Sequence, residues 1–305
     1  MTDARSAQLS AIARFRSMHE SGCFVLPNPW DVGTALYLQH LGFGALATTS
    51  AGVAFARGLP DTVSAIPREV MLEHIRDVAA ATSLPVNADF QNGYADEPEE
   101  VAANVALCIG TGVAGLSIED ASGGRNSLLY DFALAVDRVR AARAAIDASG
   151  LPVVLTARCE AWLVGVPDAA RVAVERLVAF AEAGADCLYA PGVREPEDIA
   201  AIVKAVAPKP VNVLVSAPSP VLTVSRLAEL GVRRISVGSA LARVAWGAFI
   251  RAARGIATTG TFEGLADAAP FVELNGLFLG GQDEGSRGDA ETRRKSSMSR
   301  ASSES

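Results

Sequence analysis

Several polar side chains in this 305-residue chain stand where an apolar run stops. Asp89 ends PVNAD and is followed by Phe90 and Gln91; Glu119 and Asp120 end GLSIED; Arg158, Cys159 and Glu160 end VVLTARCE. Thr48, Thr49, Ser50, Ala51 and Gly52 follow GALA, Asn212 sits in VNVLVS, and Asp61 closes a Gly-Leu-Pro-Asp stretch at 58–61. Carboxylates brought to one place repel each other unless a cation intervenes. Oxygen ligands without histidine or cysteine suit a hard divalent ion, Mg²⁺ or Mn²⁺. The rival reading is that each acid caps a helix or pairs with an arginine. Zinc is disfavoured, because there are 3 histidines and no CxxC pair. Cys23, Cys108, Cys159 and Cys187 are widely spaced and read as reduced, space-filling residues.

Such residues meet only if the elements before them share one face. Through the middle of the chain, short β-rich runs alternate with Ala/Leu/Arg-rich stretches of helical spacing. The predicted strands cover 24–29, 44–50, 85–90, 115–120, 153–159, 186–192, 211–216 and 233–239. The predicted helices lie near 32–41, 67–82, 97–111, 131–148, 168–182, 196–206, 222–230 and 240–255. The strands are nearly continuous apolar runs, as expected when helices cover the sheet. Alternating units predict a parallel sheet, and eight of them a closed (β/α)8 barrel of the TIM type. Helix punctuation agrees. DEPEEV (96–101) places acids and Pro98 in a first turn, and Gly184 suits a helix end. In such a barrel the chemistry sits at the carboxyl ends of strands, which is where these polar residues fall.

Outside the eight units, residues 1–22 predict a lead-in helix, so that 1–255 form the barrel domain. Residues 256–281 predict a C-terminal helical segment, apolar at Phe262, Leu265, Phe271, Val272, Leu274, Leu277 and Phe278 and expected to serve oligomerisation. Residues 282–305 are polar and Ser/Arg-rich, too poor in apolar surface to order themselves. The formal net charge is −7, lysine occurs only at 204, 209 and 295, and there is no basic stripe. Nucleic acid is therefore not an expected partner. No apolar run approaches the roughly 20 residues of a membrane span, and the N-terminus lacks the apolar stretch of a signal peptide. The expected location is cytoplasmic.

Four segments occur together in order: GLPD (58–61), ADFQNGY (88–94), SIED (117–120) and ARCEAW (157–162). With these the chain, over roughly residues 20–255, resembles the isocitrate lyase/phosphoenolpyruvate mutase superfamily. The resemblance implies a (β/α)8 barrel, a homotetramer, bound Mg²⁺, and a 2-oxo or 2-hydroxy carboxylate substrate that reacts through an enolate-like intermediate. It also implies roles. Asp89 matches the direct metal ligand. Asp61 and Glu119 match acids that hold metal-bound waters. Arg158 matches the arginine on the substrate carboxylate and oxo oxygen. Ser50, Ala51 and Gly52 match the stretch that holds the carboxylate. Physical chemistry agrees, since a metal ion and Arg158 would together stabilise charge on an enolate oxygen.

The chain departs from the family pattern at two places. Gln91 stands where a second acid is usual, which removes a negative charge beside Asp89. The loop after the fourth strand reads ASGGRNSLLYD (121–131), without the cysteine that true isocitrate lyases carry there. The resemblance is therefore closer to the oxaloacetate-decarboxylase-like and phosphonopyruvate-type branches. The expected activity is carbon–carbon cleavage; the alternatives are carbon–phosphorus chemistry, or a 2-oxo acid binding protein with little turnover. Gly123 and Gly124 make the loop permissive, and it is expected to close on the ligand with Arg125 or Asn126 touching the distal group. Cys159 reads as a packed residue facing the helices, or else as a thiol replacing the missing loop cysteine. Trp162, Tyr189 and Asn212 are candidates to line the mouth.

Overall fold

The computed structural model describes residues 2–63, 65–124 and 128–279. Eight parallel strands form one sheet: β1 (Phe24–Leu26), β2 (Leu46–Ala47), β3 (Val86–Asp89), β4 (Gly115–Glu119), β5 (Val154–Arg158), β6 (Cys187–Tyr189), β7 (Val211–Leu214) and β8 (Arg234–Ser236). Their order is β1-β8-β7-β6-β5-β4-β3-β2. The two ends of this order meet where Ala47 N–H donates to the Pro27 carbonyl at 3.0 Å and the Asn28 amide donates to the Thr48 carbonyl at 3.0 Å. The chain is thus a (β/α)8 barrel, as the alternation predicts.

Among the described residues the α-helices of the eight units and the lead-in are α1 (Thr2–Met18), α2 (Val32–His40), α3 (Ser50–Ala56), α4 (Arg68–Ala81), α5 (Pro98–Ile109), α6 (Phe132–Ser149), α7 (Ala169–Glu182), α8 (Pro196–Val206), α9 (Val224–Glu229) and α10 (Ala240–Thr259). Each outer helix turns an apolar stripe inward; α8 buries Ile199, Ile202 and Val206 at helical spacing. Helix α3 is absent from the sequence reading, which runs the second strand through Ser50. The strand stops at Ala47 because Thr49 becomes a helix cap, its Oγ1 accepting the Gly52 N–H at 3.3 Å. Strands in general end earlier than predicted: Asp89, Glu119 and Arg158 are the last residues in the ladder, and the residues after them leave it.

Register decides which side chains share the interior. Glu119 pairs with Arg158, Arg158 with Tyr189, Tyr189 with Asn212, and Asn212 with Arg234. Asp89 pairs with Ser117, and Ser117 with Thr156. Side chains two apart on a strand share a face, so these two rows stack in one interior.

Helix α1 closes the amino-terminal end of the barrel. Its apolar face buries Ile12 and Phe15 completely. Its polar residues reach the turns that lead into successive strands. Arg14 bonds the Ser83 carbonyl before β3, Gln8 those of Ile109 (2.9 Å) and Val113 (3.0 Å) before β4, and Arg16 that of Pro152 (3.2 Å) before β5. Gly115 must lack a side chain here, since a Cβ would lie 2.7 Å from the Phe15 ring.

The chain divides into two compact units between Ala245 and Trp246, within α10. The second unit holds the rest of α10, a 3₁₀ turn at Glu263–Leu265 and a helix over 271–279. Phe249, Phe262, Phe271 and Val272 are exposed in it. The stretch 282–305, expected to be disordered, lies outside the described residues. Among the described residues, no helix is long and apolar enough to cross a membrane.

Candidate active site

Arg158, the last residue of β5, is the centre of the charged cluster. Its Nε pairs with Glu160, and its Nη1 lies 3.2 Å from Glu119 Oε2 and 3.5 Å from Asp89 Oδ1. Burial opposes its charge, yet the carboxylates of Glu160 and Glu119 outweigh burial and hold its pKa above the usual arginine range. Burial raises the Glu119 carboxyl well above its ordinary value. Arg158 counters this, but Glu160, Asp89 and Asp61 add repulsion. Glu160 is raised in the same way, first by burial. The acids therefore outnumber the cation that holds them together.

Asp89 ends β3 against α3. Its Oδ2 accepts both the N–H and the hydroxyl of Ser50, each at 2.8 Å. Its own N–H donates to Thr48 Oγ1 at 2.9 Å. Asp61 stands on the rim, its carboxyl raised by desolvation and then by the charge of Asp89. Gln91 is buried in the left-handed region at φ 46°, and its Oε1 has no hydrogen-bond partner. Tyr94, at φ 57°, likewise has an unpartnered buried hydroxyl, raised by burial and then by Asp89 and Glu119. Two of the three non-glycine residues with positive φ thus fall in one loop beside Asp89. Backbone strain of this kind persists only where the surroundings impose it.

Beneath this cluster a pocket of about 400 Å³ of empty space, part of it open to solvent, is lined by Asn28, Thr48, Asp89, Arg158, Tyr189 and Arg234, among others. Asn212 also lines it, but both ends of its amide are engaged: Oδ1 accepts from Arg234 Nε at 2.9 Å and Nδ2 donates to Ser236 Oγ at 2.9 Å.

The structure therefore gathers Ser50, Asp61, Asp89, Glu119 and Arg158 at the strand ends, as the sequence suggests. Gly52 has a packing reason instead of a ligand-facing one, because a Cβ would lie 2.7 Å from Thr49 and 2.9 Å from Trp30. Ala51 sits between them in the first turn of α3. Asp120 is a structural acid, bonding the Glu160 N–H at 2.8 Å and Arg176 at 3.1 Å. Cys159 is fully buried beside Asp120, and burial pushes its thiol up, so it does not stand in for a loop cysteine. Trp162 packs over Gly192 and is not among the pocket residues. Arg125 and Asn126 lie outside the described residues; the stem of their loop is closed by Ser122 N–H to the Leu128 carbonyl at 3.1 Å. Arg234 escaped the sequence reading as a site residue, and Glu160 and Tyr189 entered it only as a strand-end acid and a candidate for the mouth. The only available signal was their even spacing from Arg158, Cys187 and Ser236 on inward-facing positions.

Among the described residues, no three His, Cys, Asp or Glu side chains form a ready cage for an ion. Mg²⁺ does not need one, since it keeps several waters and binds through one or two carboxylates plus substrate oxygens. The mutual repulsion of Asp61, Asp89 and Glu119 and the orphaned Gln91 Oε1 fit such a hydrated ion.

Residues 15–257 match the family described as Phosphoenolpyruvate phosphomutase. Over 224 residues the chain is 30% identical to oxaloacetate decarboxylase of Paraburkholderia xenovorans, covering 71% of this chain and 72% of that protein. A crystal structure of a candidate lyase/mutase from Burkholderia cenocepacia superposes with a TM-score of 0.85 at 46% identity, covering 90% of this chain and 97% of the other. Oxaloacetate acetylhydrolase in complex with its product oxalate superposes with a TM-score of 0.81 at 27% identity, covering 93% and 99%.

Proposed function

Because the chain belongs to the phosphoenolpyruvate phosphomutase family, within the isocitrate lyase/phosphoenolpyruvate mutase superfamily, we propose that it is a carbon–carbon lyase for a small 2-oxo or 2-hydroxy carboxylate. It acts in the cytoplasm, with Mg²⁺, through an enolate-like intermediate, as a homotetramer. The observation that carries this reading is the buried Arg158, held at the pocket wall by Asp89, Glu119 and Glu160.

Asp89 would hold the ion, with Asp61, Glu119 and Gln91 ordering its waters. When bound, Mg²⁺ supplies positive charge to a developing enolate oxygen. The remaining work belongs to the chain. Glu160 fixes the Nε edge of Arg158, while Arg158 Nη2 has no hydrogen-bond partner among the described residues and is left for the substrate carboxylate. The guanidinium is planar and preorganised, so it matches a carboxylate without reorganisation. Ser50 orients Asp89 through both its N–H and its hydroxyl.

The test is turnover of a panel of three- to six-carbon 2-oxo and 2-hydroxy acids with Mg²⁺, following release of small oxo acids or oxalate. Phosphate release from phosphonopyruvate instead would move the chain to carbon–phosphorus chemistry. Binding without turnover would make it a 2-oxo acid binding protein, the reading that Gln91 favours.

A further inference from the structure

The pocket holds a phenol that the metal and arginine chemistry leaves unused. We propose that Tyr189 donates the proton to the enolate carbon, its O–H aimed at the pocket by a one-way chain of hydrogen bonds that begins at Arg234. This inference rests on the enolate reading above.

The direction of the chain follows from what each group can do. A guanidinium only donates. Arg234 Nε therefore gives its proton to Asn212 Oδ1 at 2.9 Å, which fixes the orientation of that amide. Asn212 Nδ2 must then donate to Ser236 Oγ, at 2.9 Å. Ser236, having accepted, has its own proton to give; it lines the same pocket as Tyr189 and acts to lower that phenol's pKa, so we assign its proton to the Tyr189 oxygen. Accepting from Ser236 leaves Tyr189 its own proton for the pocket that both residues line.

The charges at both ends favour a phenolate once that proton leaves. Arg234 is 2% exposed and makes its remaining contacts with Thr156 Oγ1 at 3.0 Å and His19 Nε2 at 3.4 Å. Both are neutral, and among the described residues no carboxylate forms an ion pair with Arg234. No direct ion pair therefore neutralises its positive charge at the root of the chain, where it polarises each successive bond. On the other side, the Arg158 guanidinium carbon lies 5.3 Å from the centroid of the Tyr189 ring. Burial holds the phenol up at about 12, so it carries its proton at neutral pH.

Other donors are worse placed. Thr48 accepts from the Asp89 N–H, Ser117 is committed to the Ala88 carbonyl at 3.3 Å, and aliphatic hydroxyls are weaker acids than a phenol. Glu119 and Glu160 are bound to Arg158 and are not among the residues lining this pocket.

The step balances without a further reactant. Cleavage of the substrate C–C bond leaves its electron pair in the enolate. The Tyr189 O–H bond then breaks, a C–H bond forms at the enolate carbon, and the O–H pair stays on oxygen as phenolate. A solvent proton restores the phenol.

The test uses the full chain with Mg²⁺ and pyruvate in D₂O, following loss of the methyl proton signal by NMR. Wild type should exchange. Tyr189→Phe should exchange at least ~100-fold more slowly, the range for a lost general acid, while binding oxalate within about threefold of wild type by calorimetry. Ser236→Ala, which breaks the chain without touching the phenol, should slow exchange about tenfold. Equal exchange by Tyr189→Phe and wild type overturns the donor assignment and leaves the enolate reading standing. So does unaltered exchange in Ser236→Ala, should Tyr189→Phe lose oxalate binding. A wild type that binds oxalate but never exchanges pyruvate also overturns the donor. A wild type that neither binds oxalate nor exchanges overturns the enolate reading itself.

Discussion

Asp89 and Gln91 sit two residues apart and face opposite electrostatic demands. Replacing Asp89 by Ala should abolish Mg²⁺ binding in calorimetry and remove activity with it. Gln91→Glu replaces an orphaned buried acceptor by a charge, and should tighten Mg²⁺ about tenfold or less, by screened attraction at short range. Protons compete for the same oxygens. Burial raises the Glu119 carboxyl, and desolvation with the Asp89 charge raises that of Asp61. Both must deprotonate to serve the ion, so Mg²⁺ affinity should fall as pH is lowered through the range, above that of ordinary carboxylates, where these raised groups take up protons. A flat affinity over that range in titration calorimetry would mean that these acids do not serve the ion. Asp89, Glu119 and Arg158 were legible in the sequence because each charge interrupts an apolar run at its end. Arg234 was not, and Tyr189 was legible only as a candidate to line the mouth. A tyrosine inside a β-rich run reads as packing, and Arg234 in RRIS reads as the charged approach to a strand. Only register, which no single sequence displays, puts both in line with Arg158.

Among the elements, the eight strands and the outer helices were readable because their periods are distinct and their ends carry caps. Helix α3 was not, since ATTSAGVAFA is β-branched and small at its start, and a single threonine cap decides the matter. Its geometry leaves no room at Gly52. Gly52→Ala should destabilise the fold by about 1–3 kcal/mol, as overpacking does, and a thermal melt unchanged from wild type would refute that tight contact. Helix α1 was foreseen as a lead-in but not as a floor. His19, just past its end, donates to the Phe15 carbonyl at 2.7 Å, and burial followed by the Arg234 charge brings its pKa down to about 3. A lowered histidine contributes stability above its unfolded value of 6.5, lost as pH falls toward 3. The unfolded chain takes a proton in that window that the folded chain refuses. The raised glutamates act in the opposite sense, so the informative quantity is a difference between proteins. Between about pH 7 and pH 5, wild type should lose roughly 1–2 kcal/mol more than His19→Gln in urea unfolding. Parallel pH profiles for the two proteins would show that His19 is protonated in the fold.

At the scale of the whole molecule, the proposed tetramer gives the exposed Phe249, Phe262, Phe271 and Val272 something to cover them. Exposed apolar surface in such concentration marks an interaction site more often than not. Light scattering at micromolar concentration should give four times the chain mass, and Phe271→Asp with Val272→Asp should lower it; a monomeric wild type would end this reading. The helical floor carries a different consequence, one of timing. The residues that seat α1 are spread from Ser83 through Val113 and Pro152 to Arg234, up to 215 positions along the chain from their partners. A chain made from its amino end therefore produces its floor first and must keep it waiting. Phe15 meets His19 and Phe24 early, with ring centroids 4.7 and 6.3 Å away, but the rest of the seat for α1 waits until the last strand has left the ribosome. Contacts so distant in sequence form late and slowly. The earliest helix to be synthesised is thus among the last to complete its contacts, and a nascent barrel spends its assembly time with that end open.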